Sequence, residues 1–385
     1  MKILILGGDG YLGWPTAIHL SALNYEVYIV DNYMRRKLME EHNVEPLYPV
    51  FHLPERINAW KNQSSREIKY FIGDLNNWEF VSEIFKKTKP DVIIHYAEQP
   101  SAPYSMLSRE SASLTLHNNL GVTKNIIYAI KEFVPNSHLI KLGTMGEYGT
   151  PNIDIEEGWI NIEHKGRKDK FLYPRQSGSL YHTTKIMDTD LLWYYVRVWG
   201  LKVTDLMQGP VYGIYTDESK SNEDLLTFFS YDEIFGTVLN RFIVQAVAGY
   251  PLTVYGKGGQ TRGYLNIKDT LQCIRIAIES KPKKAELRIL NQYTETFTVQ
   301  DLANLVKETG NRYNLNVKIK NIKNPRIELE EHYYNPSNKG FIDLGLKPNN
   351  LTKDEIAKII EKVLKHKDKI NINQIYQGIN WKKNN

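Results

Sequence analysis

Short apolar segments alternate with longer segments of helical periodicity through the first half of the chain. Several apolar segments end directly at glycine or aspartate, as buried strands often do. The predicted strands are Ile3–Leu6, Glu26–Val30, Tyr70–Ile72, Val92–His95, Leu139–Leu142 and Lys202–Leu206, and the predicted helices include Trp14–Leu23, Trp78–Lys87 and Asn119–Phe133. This alternation indicates an α/β fold whose parallel sheet is covered on both faces, and right-handed crossovers favour the doubly wound topology.

After Tyr212 the alternation loosens, which indicates a second, smaller domain of mixed α/β structure. The stretch Asp217–Asp232 is polar and acidic, so we expect a long loop there. The elements predicted beyond it are a strand at Leu252–Tyr255 and helices at Thr237–Val247, Ile267–Glu279, Val299–Thr309 and Lys353–Lys365. We assign residues 1–212 to the parallel-sheet domain, with 264–282 packing back on it, and residues 213–263 and 283–385 to the second domain.

The composition narrows the class of protein. Of the 385 residues, 42% are hydrophobic and 24% are charged, as in ordinary folded domains. Basic residues exceed acidic ones only by 49 to 44 and are scattered, which argues against a nucleic-acid partner but suits an anionic small substrate. The single cysteine, Cys273, excludes an intramolecular disulfide framework. Without a signal-like leader or a long apolar stretch, we expect a cytoplasmic protein with no membrane partner; nothing suggests a metal.

A glycine-rich turn follows the first predicted strand and opens the first predicted helix. The segment Gly7-Gly8-Asp9-Gly10-Tyr11-Leu12-Gly13 satisfies both Gly-x-Gly-x-x-Gly and Gly-x-x-Gly-x-x-Gly. Glycine permits the sharp turn and lets the backbone approach a pyrophosphate. A glycine-rich turn without a ligand is the alternative, but the position between strand and helix indicates a Rossmann-type dinucleotide site. The candidate cofactor-binding residues in this turn are Gly7, Gly10, Tyr11, Leu12 and Gly13.

Asp31 closes the second predicted strand, where a carboxylate can accept hydrogen bonds from the adenosine ribose. It would repel a 2′-phosphate, so NAD is favoured over NADP. Arg35 and Arg36 complicate this prediction because arginine can bind that phosphate; a solvated helix start is their alternative role. Asp74 and Leu75 follow another strand and are candidates for the edge of the adenine, with an ordinary turn as the alternative.

Tyr181 and Lys185 stand four residues apart, on one face of a predicted helix. Thr144 follows the fifth predicted strand, at the sheet edge where Rossmann-type folds bind ligands. We expect the lysine ammonium to lower the pKa of the tyrosine, so that the phenolate accepts a proton from a substrate hydroxyl. The threonine hydroxyl would hold the same substrate oxygen. A tyrosine and lysine at this spacing are weak evidence alone, and the third residue gives the set its chemical logic.

With the glycine motif and Asp31, this constellation resembles the extended short-chain dehydrogenase/reductase family over about residues 1–345. The segment Asp91–Glu98 is similar to that family's fourth-strand signature. The resemblance implies cofactor contacts for Ala97 and Asn119. It also implies that Arg262 binds the pyrophosphate of a nucleotide sugar.

Four longer strings resemble one branch of that family, the UDP-sulfoquinovose synthases: Gly143–Gly158, Ser101–Met106, Leu252–Tyr264 and Glu330–Asn335. Strings of this length are far more specific than the glycine motif. This resemblance implies NAD as cofactor, UDP-glucose and sulfite as substrates, and a homodimer. Pro100 is a departure, because plant-type members carry an arginine there; its role is vacant here or is filled by another residue.

The turn after the fifth strand differs from that of the sugar-nucleotide dehydratases. Those enzymes carry Thr-Asp-Glu there, whose acid and base eliminate water, whereas this chain has Thr144, Met145 and Gly146, with Glu147 one position later. Glu147 and His182 are the titratable residues adjacent to the constellation, so both are candidates for acid–base catalysis or for positioning sulfite. For His182 the alternative is a helix histidine that faces solvent or core.

The remaining candidates would contact the nucleotide sugar. They are Gln99, Ser101, Thr144, Gln208, Asn240, Arg241, Tyr255, Arg262 and Arg326. Arginine suits a diphosphate because its guanidinium is planar and permanently charged. For Asn240, Arg241 and Arg326, a structural salt bridge or a helix-surface role is the alternative.

Two other functions fit parts of this pattern. A UDP-sugar 4-epimerase or 4,6-dehydratase of the same family is the first alternative, although the missing Asp-Glu pair weighs against the dehydratase. The second is a non-catalytic NAD-binding regulator. The intact set of Thr144, Tyr181 and Lys185 weighs against that possibility.

Overall fold

The computed structural model describes residues 1–326 and 332–375. In these residues the strands are β1 (Lys2–Leu6), β2 (Glu26–Asp31), β3 (Ile68–Ile72), β4 (Val92–His95), β5 (His138–Thr144), β6 (Trp159–His164), β7 (Arg167–Leu172), β8 (Lys202–Gln208), β9 (Val211–Tyr212), β10 (Leu252–Tyr255), β11 (Thr261–Asn266), β12 (Glu286–Gln292), β13 (Glu295–Thr298) and β14 (Ile319–Ile322). The helices are α1 (Gly13–Ala22), α2 (Met34–Glu41), α3 (Leu53–Ser64), α4 (Trp78–Thr88), α5 (Ala102–Ser105), α6 (Arg109–Phe133), α7 (Leu180–Trp199), α8 (Val238–Ala248), α9 (Ile267–Glu279), α10 (Val299–Asn311), α11 (Lys339–Asp343) and α12 (Lys353–Lys365).

Seven strands form one parallel sheet in the order β12-β8-β5-β4-β1-β2-β3. The winding direction reverses between β1 and β4, which leaves a crevice beyond the carboxyl ends of these two strands. The doubly wound α/β fold predicted from the alternating pattern is therefore confirmed.

Helices cover both faces of this sheet, which explains the continuous apolar run from Ile3 to Leu6 in β1. Leu4 and Leu6 of β1 pack into the cluster formed with α4, α6 and α7, whereas Ile3 and Ile5 pack into the cluster formed with α1 and α9. All four side chains are fully buried. Successive side chains of a strand point to opposite faces, so a strand covered on both sides needs apolar residues at every position.

The seventh strand corrects the predicted domain boundary. Residues 283–385 were assigned to the second domain, but β12 pairs with β8 in the large sheet from Glu286↔Lys202 to Gln292↔Gln208. The side chains of Leu287 and Ile289 complete one apolar cluster of that sheet. This pairing joins strands that are distant in sequence, so no local sequence pattern predicts it. α9 packs on α1, within the range 264–282 that we expected to return to the sheet.

The second unit is built around α8, α10 and α12, whose apolar faces share one cluster with β10. Phe242, Val306 and Ile360 are central and fully buried. The stretch predicted as a polar loop is irregular apart from a short 3₁₀ turn, Glu223–Leu225, but it is not a solvated loop, because Leu226 and Phe229 are buried in the same cluster. In the described part of the chain, no helix has the length and apolarity needed to cross a membrane.

Candidate active site

A cavity of about 330 Å³ lies at the carboxyl edge of the large sheet, at the crevice between β1 and β4. Fourteen of the residues predicted as site residues line it: Gly7, Gly10, Tyr11, Leu12, Gly13, Asp31, Arg35, Asp74, Leu75, Ala97, Gln99, Thr144, Tyr181 and Gln208. The predicted cofactor turn and two members of the predicted catalytic set therefore share one cavity.

The glycine turn is shaped for the close approach of a ligand. Gly7 has φ +87°, and a Cβ on it would lie 2.7 Å from the backbone carbon of Tyr96. A Cβ on Gly13 would lie 2.1 Å from the carbonyl oxygen of Gly7. Only glycine fits at these two positions, and α1 begins at Gly13 with its backbone N–H groups toward this edge of the sheet. These residues fit the pyrophosphate of a dinucleotide.

Asp31 ends β2 beside this turn. Its Oδ1 accepts a hydrogen bond from the Tyr33 backbone N–H at 2.7 Å, and its Oδ2 accepts one from the Asp9 N–H at 2.9 Å. Burial, followed by the neighbouring charge of Asp9, raises the pKa of Asp31 to about 6. Asp74 lies on the cavity wall, where its Oδ1 accepts from the Asn76 N–H.

The two arginines that complicated the choice of cofactor have different positions. Arg35 lines the cavity and donates to Ser230 Oγ at 2.9 Å. Arg36 instead forms a two-pronged ion pair with Asp9, at 2.7 and 3.0 Å. It is not a solvated helix start, and its charge is already compensated within the protein.

Tyr181 and Lys185 lie on the first turns of α7, which is capped by Ser179 Oγ. The Lys185 Nζ lies 5.8 Å from the centre of the Tyr181 ring. It donates to the carbonyl of Leu142 at 2.5 Å and pairs with Glu98 at 2.5 Å. Thr144 ends β5 on the opposite wall, where its Oγ1 accepts from the Gly146 N–H. The three residues of the predicted set thus converge on the cavity or border it.

The electrostatics correct one expectation. We expected Lys185 to lower the pKa of Tyr181, but burial first, and then the charge of Glu98, raises that pKa well above its ordinary value. The physical reason is that the phenol is buried and lies near the negative charge of Glu98, which pairs with Lys185. Sequence reasoning did not single out Glu98, although an acidic residue just beyond an apolar strand, at the ligand-binding edge, was the available signal.

Glu147 is also placed differently from the expectation. Its side chain is fully buried below the turn Met145–Glu147 and does not itself line the cavity. Its carboxylate pairs with Lys141 at 3.6 Å and Arg175 at 3.3 Å and accepts weakly from the Thr144 N–H. The geometry therefore makes Glu147 a positioning residue for the Thr144 turn rather than a group that reaches the substrate.

His182 packs into the space left by a glycine. A Cβ on Gly146 would lie 2.4 Å from the His182 Nε2, and the ring centre lies 5.2 Å from that of Tyr181. Burial, with the charges of Arg326 and Arg262, lowers the pKa of His182 to about 3. The imidazole is therefore neutral at pH 7, with one ring N–H that it can donate. The residue is partly buried and does not itself line the cavity, so its role in catalysis stays a prediction.

Three residues predicted to contact ligands form hydrogen bonds within the protein. Asn119 accepts from the Gln99 backbone N–H and donates to Thr184 Oγ1. The Gln99 amide is engaged with Ser101 and Thr115. Ser101 donates to the carbonyl of Ile234 and caps α5. Of these three residues only Gln99 lines the cavity, and the predicted contacts of all three with ligands stay predictions.

The basic residues of the second unit form a cluster beside Tyr264. The charges of Arg262, Arg326 and Arg241 all lower the pKa of Tyr264 against the larger opposing effect of burial. Arg241 also lies over the ring of Tyr255, with its Cζ 5.2 Å from the ring centre. Arg241 therefore contacts Tyr255, and the charges of all three arginines act on Tyr264.

Two further predicted contacts have internal partners. Asn240 is buried and donates to the carbonyl of Ser230. Gln208 donates to Gln292 but keeps its place on the cavity wall. His332, which we had not proposed as a site residue, has its Nε2 3.2 Å from Arg262 Nη1, which can only donate to it. The sequence did not predict this contact because the two residues are 70 positions apart.

Comparison with known proteins places this site in context. Residues 3–291 match the model of the NAD dependent epimerase/dehydratase family. The chloroplastic UDP-sulfoquinovose synthase of Spinacia oleracea is 47% identical over 382 residues, which cover 99% of this chain and 79% of the relative. The UDP-sulfoquinovose synthase of Sulfolobus acidocaldarius is 43% identical, covering 96% and 94% of the two chains.

The solved structures show the same fold at lower sequence similarity. The UDP-glucose 4-epimerase of Thermotoga maritima, solved with UDP-glucose, superposes with a TM-score of 0.70 at 19% identity, covering 95% of this chain and 99% of the other. The UDP-glucose 4-epimerase of Thermus thermophilus, solved as its complex with NAD, has a TM-score of 0.66 at 21% identity and covers 94% and 99%.

Proposed function

The chain belongs to the NAD-dependent epimerase/dehydratase family and, within it, to the UDP-sulfoquinovose synthases, and we propose that it makes UDP-sulfoquinovose from UDP-glucose and sulfite. The observation that carries the proposal is the shared cavity: the glycine turn, Thr144 and Tyr181 line it together, and Lys185 lies beside Tyr181. The two UDP-sulfoquinovose synthases named above support the choice of substrates.

NAD is the cofactor of this family, and the chain has residues placed to hold it. The turn Gly7–Gly13 would take the pyrophosphate, Asp31 the adenosine ribose, and Asp74 with Leu75 the edge of the adenine. Arg35 is the cation on this wall that faces the cavity. When bound, NAD supplies a reversible oxidation of the sugar at C4 and is regenerated within each turnover.

Tyr181 takes the proton of the C4 hydroxyl on its phenolic oxygen, and Thr144 Oγ1 holds the same substrate oxygen. The Lys185 ammonium lies beside the Tyr181 ring and balances part of the phenolate charge, although it also pairs with Glu98. Burial of Tyr181 excludes water from the proton transfer. In these roles Tyr181, Thr144 and Lys185 act at C4 of the sugar.

A ketone at C4 makes the C5 proton acidic, so that proton and the C6 hydroxyl leave together as water and an enone remains. The sulfite sulfur then forms a bond to C6, a proton returns to C5, and C4 is reduced again. His182 is the titratable side chain that borders the Thr144 turn with a neutral imidazole. We assign it the transfer of the proton at C5 or C6, with Glu147 fixing the turn from below.

The arginine cluster would bind the diphosphate of the nucleotide sugar. Arg241, Arg262 and Arg326 bring three permanent positive charges to one place, and such forks match phosphate oxygens. Tyr255, under Arg241, would face the uridine. The homodimer and the cytoplasmic location expected from the sequence remain predictions.

The test is to incubate the purified protein with UDP-glucose and sulfite and to weigh the products by mass spectrometry. We expect a nucleotide sugar heavier than UDP-glucose by one SO₂. An isomer of unchanged mass would indicate an epimerase, a product lighter by one water a dehydratase, and bound NAD without conversion a regulator. In D₂O the product should carry deuterium at C5; unlabelled C5 would indicate direct displacement of the C6 hydroxyl instead.

A further inference from the structure

Seven charged side chains, four carboxylates and three cations, are buried together around the start of α7. They are Glu98, Glu147, Asp188, Asp205, Lys141, Lys185 and Arg175, and none is more than 7% exposed. A buried charge is costly unless an opposite charge or hydrogen bonds compensate it. If all seven were ionised, the negative charges would exceed the positive ones by one. The set is therefore balanced when one carboxyl group holds a proton.

Ion pairs identify the carboxyl group that is left over. Three of the four contact a cation, in the pairs Glu98–Lys185 at 2.5 Å, Glu147–Arg175 at 3.3 Å and Asp205–Lys141 at 3.4 Å. Arg175 is also shared with the exposed Asp190, so its charge is not in excess. Asp188 is fully buried, and within residues 1–326 and 332–375 no lysine, arginine or histidine pairs with it. Asp188 is therefore the carboxyl group without a counter-charge.

Asp188 and Glu98 influence each other. The charged groups that act on Asp188 from the surrounding elements are Glu98 after β4, Lys141 on β5 and Lys185 on α7. Burial, and next the charge of Glu98, raise the pKa of Asp188 well above its ordinary value. The ring of His95, neutral because burial lowers its pKa, has its Nε2 3.5 Å from Glu98 Oε1 and 3.2 Å from Thr123 Oγ1. Neighbouring carboxyl groups in such surroundings ionise as a pair.

The two carboxyl groups affect Tyr181 unequally. Glu98 lines the cavity with Tyr181, whereas Asp188 does not line it. After burial, the charge of Glu98 is the largest cause of the raised pKa of Tyr181, and that of Asp188 is a smaller one. A proton that moves from Asp188 to Glu98 therefore shifts negative charge away from Tyr181. It also leaves the Lys185 ammonium to compensate the phenolate.

We propose that Glu98 and Asp188 share one proton, which lies on Asp188 while Tyr181 is a phenol and on Glu98 while Tyr181 is a phenolate. Tyr181 takes the C4 proton and later returns it, and the shared proton moves only between the two carboxyl groups, so no proton is gained or lost. Asp188 is thus a positioning residue that acts through Glu98. The proposal rests on the Tyr181 chemistry of the proposed function and not on the sulfonation.

Infrared spectroscopy of the purified protein tests where the proton lies at rest. An un-ionised carboxylic acid has a carbonyl band separate from the bands of a carboxylate, and this band shifts in D₂O. At about pH 8, where Asp31 is ionised, we expect this band in the parent, moved by ¹³C-labelled aspartate and missing in Asp188→Asn. A parent spectrum without a band that aspartate labelling moves would overturn the proposal, and this measurement needs neither a substrate nor a variant.

The pH dependence of C4 oxidation tests the link to Tyr181. The NADH absorbance formed with UDP-glucose alone reports this step without sulfite. Asp188→Asn keeps the shape of Asp188 but removes the proton that Glu98 receives, so Glu98 stays ionised beside Tyr181. We expect the acid limb of the rate to move up by about one pH unit, about tenfold in rate on that limb. A parent that forms no NADH contradicts the proposed function, and the infrared band then decides the shared proton by itself.

The direction of the shift separates this proposal from simpler roles. An ionised Asp188 that acted directly would give a downward shift when removed, because its charge raises the pKa of Tyr181; a merely structural Asp188 would give none. Combining Asp188→Asn with Glu98→Gln should abolish the upward shift, since Glu98 is then replaced by a neutral group. Asp169→Asn, at an exposed position on β7, should leave the limb in place. A fixed or downward limb in Asp188→Asn, an equal rise in Asp169→Asn, or an upward shift that persists in the double variant would each overturn the proposal.

Discussion

At the scale of single residues, one ion pair sets the chemistry of the site. Lys185 sits within reach of Tyr181, but its ammonium is held by Glu98, itself almost completely buried. A buried carboxylate beside a phenol opposes its ionisation. The proton-accepting power of Tyr181 therefore depends on a balance among three side chains.

Tyr181→Phe removes the proton acceptor and leaves the ring. We expect turnover to fall about 10²- to 10⁴-fold, the usual contribution of a general base, while UDP-glucose binding stays nearly intact. Turnover is measured by product mass and binding by calorimetry. Undiminished turnover would remove Tyr181 from the mechanism.

Glu98→Gln should shift the pH dependence of turnover. Burial and the Glu98 charge raise the pKa of Tyr181, so loss of that charge lowers the pKa and the phenolate forms at lower pH. We expect the acid limb of the kcat profile to move down by about one pH unit, equivalent to roughly 1.4 kcal/mol. Glu156→Gln, an exposed carboxylate, is the control. An acid limb that stays in place would contradict this role of Glu98.

At the scale of elements, the turn after β5 packs closely against the start of α7 because Gly146 has no side chain. The His182 ring fills the space where a Cβ on Gly146 would stand, and Glu147 anchors the turn from the buried side. The relative position of these two elements therefore decides where the imidazole lies.

Gly146→Ala should push the His182 ring from its place and slow sulfonation tenfold or more, because small displacements of catalytic groups cost large factors in rate. The NADH absorbance formed with UDP-glucose alone should change less than the sulfonation rate. Combining Gly146→Ala with His182→Ala should be no worse than His182→Ala alone. Additive losses in the double variant would mean that Gly146 acts by another route.

His138, on β5, links two strands of the sheet and makes their stability depend on pH. Its Nε2 lies 2.8 Å from Thr204 Oγ1 on β8, and burial lowers its pKa to about 3. Below about pH 6.5 His138 is protonated in the unfolded chain but stays neutral in the folded chain. The free energy of unfolding therefore decreases as the pH falls from about 6.5 towards 3.

Between pH 7 and pH 5 this one residue should destabilise the fold by about 2 kcal/mol. Urea denaturation at the two pH values should show a smaller difference in His138→Gln than in the parent. His164→Gln, at an exposed position on β6, should keep the parental difference. Equal pH dependence in His138→Gln and the parent would contradict the assignment.

At the scale of the whole molecule, the large sheet supplies the cofactor turn and the Tyr181 set, while the second unit supplies the arginine cluster. Each unit therefore holds only some of the residues that the proposed reaction needs. In the proposed reaction the nucleotide sugar extends from one to the other, with its diphosphate on the arginines and its sugar at Tyr181.

Because oxidation and reduction occur in the same cycle, the dinucleotide has no need to leave. We expect NAD to co-purify with the protein, and turnover to continue without added NAD. Extraction of the denatured protein, followed by chromatography, identifies the nucleotide. Recovery of NADP alone, with activity strictly dependent on it, would contradict the assignment of Asp31.

Much of the fold and part of the site followed from short stretches of sequence. The apolar strands, the glycine turn at residues 7–13 and the spacing of Tyr181 and Lys185 are local patterns, because backbone sterics and side-chain periodicity act over a few residues. These patterns predicted the doubly wound sheet and the placement of Tyr181 and Thr144 at its carboxyl edge.

Long-range packing decided the rest. The pairing of β12 with β8, the hold of Glu98 on Lys185 and the capture of Arg36 by Asp9 join residues far apart in the chain. Burial then gave these groups their charge states, since desolvation depends on what surrounds a side chain in three dimensions. Glu147 shows the limit most plainly: its sequence position suggested a catalytic acid, and only the folded structure encloses it beneath the turn.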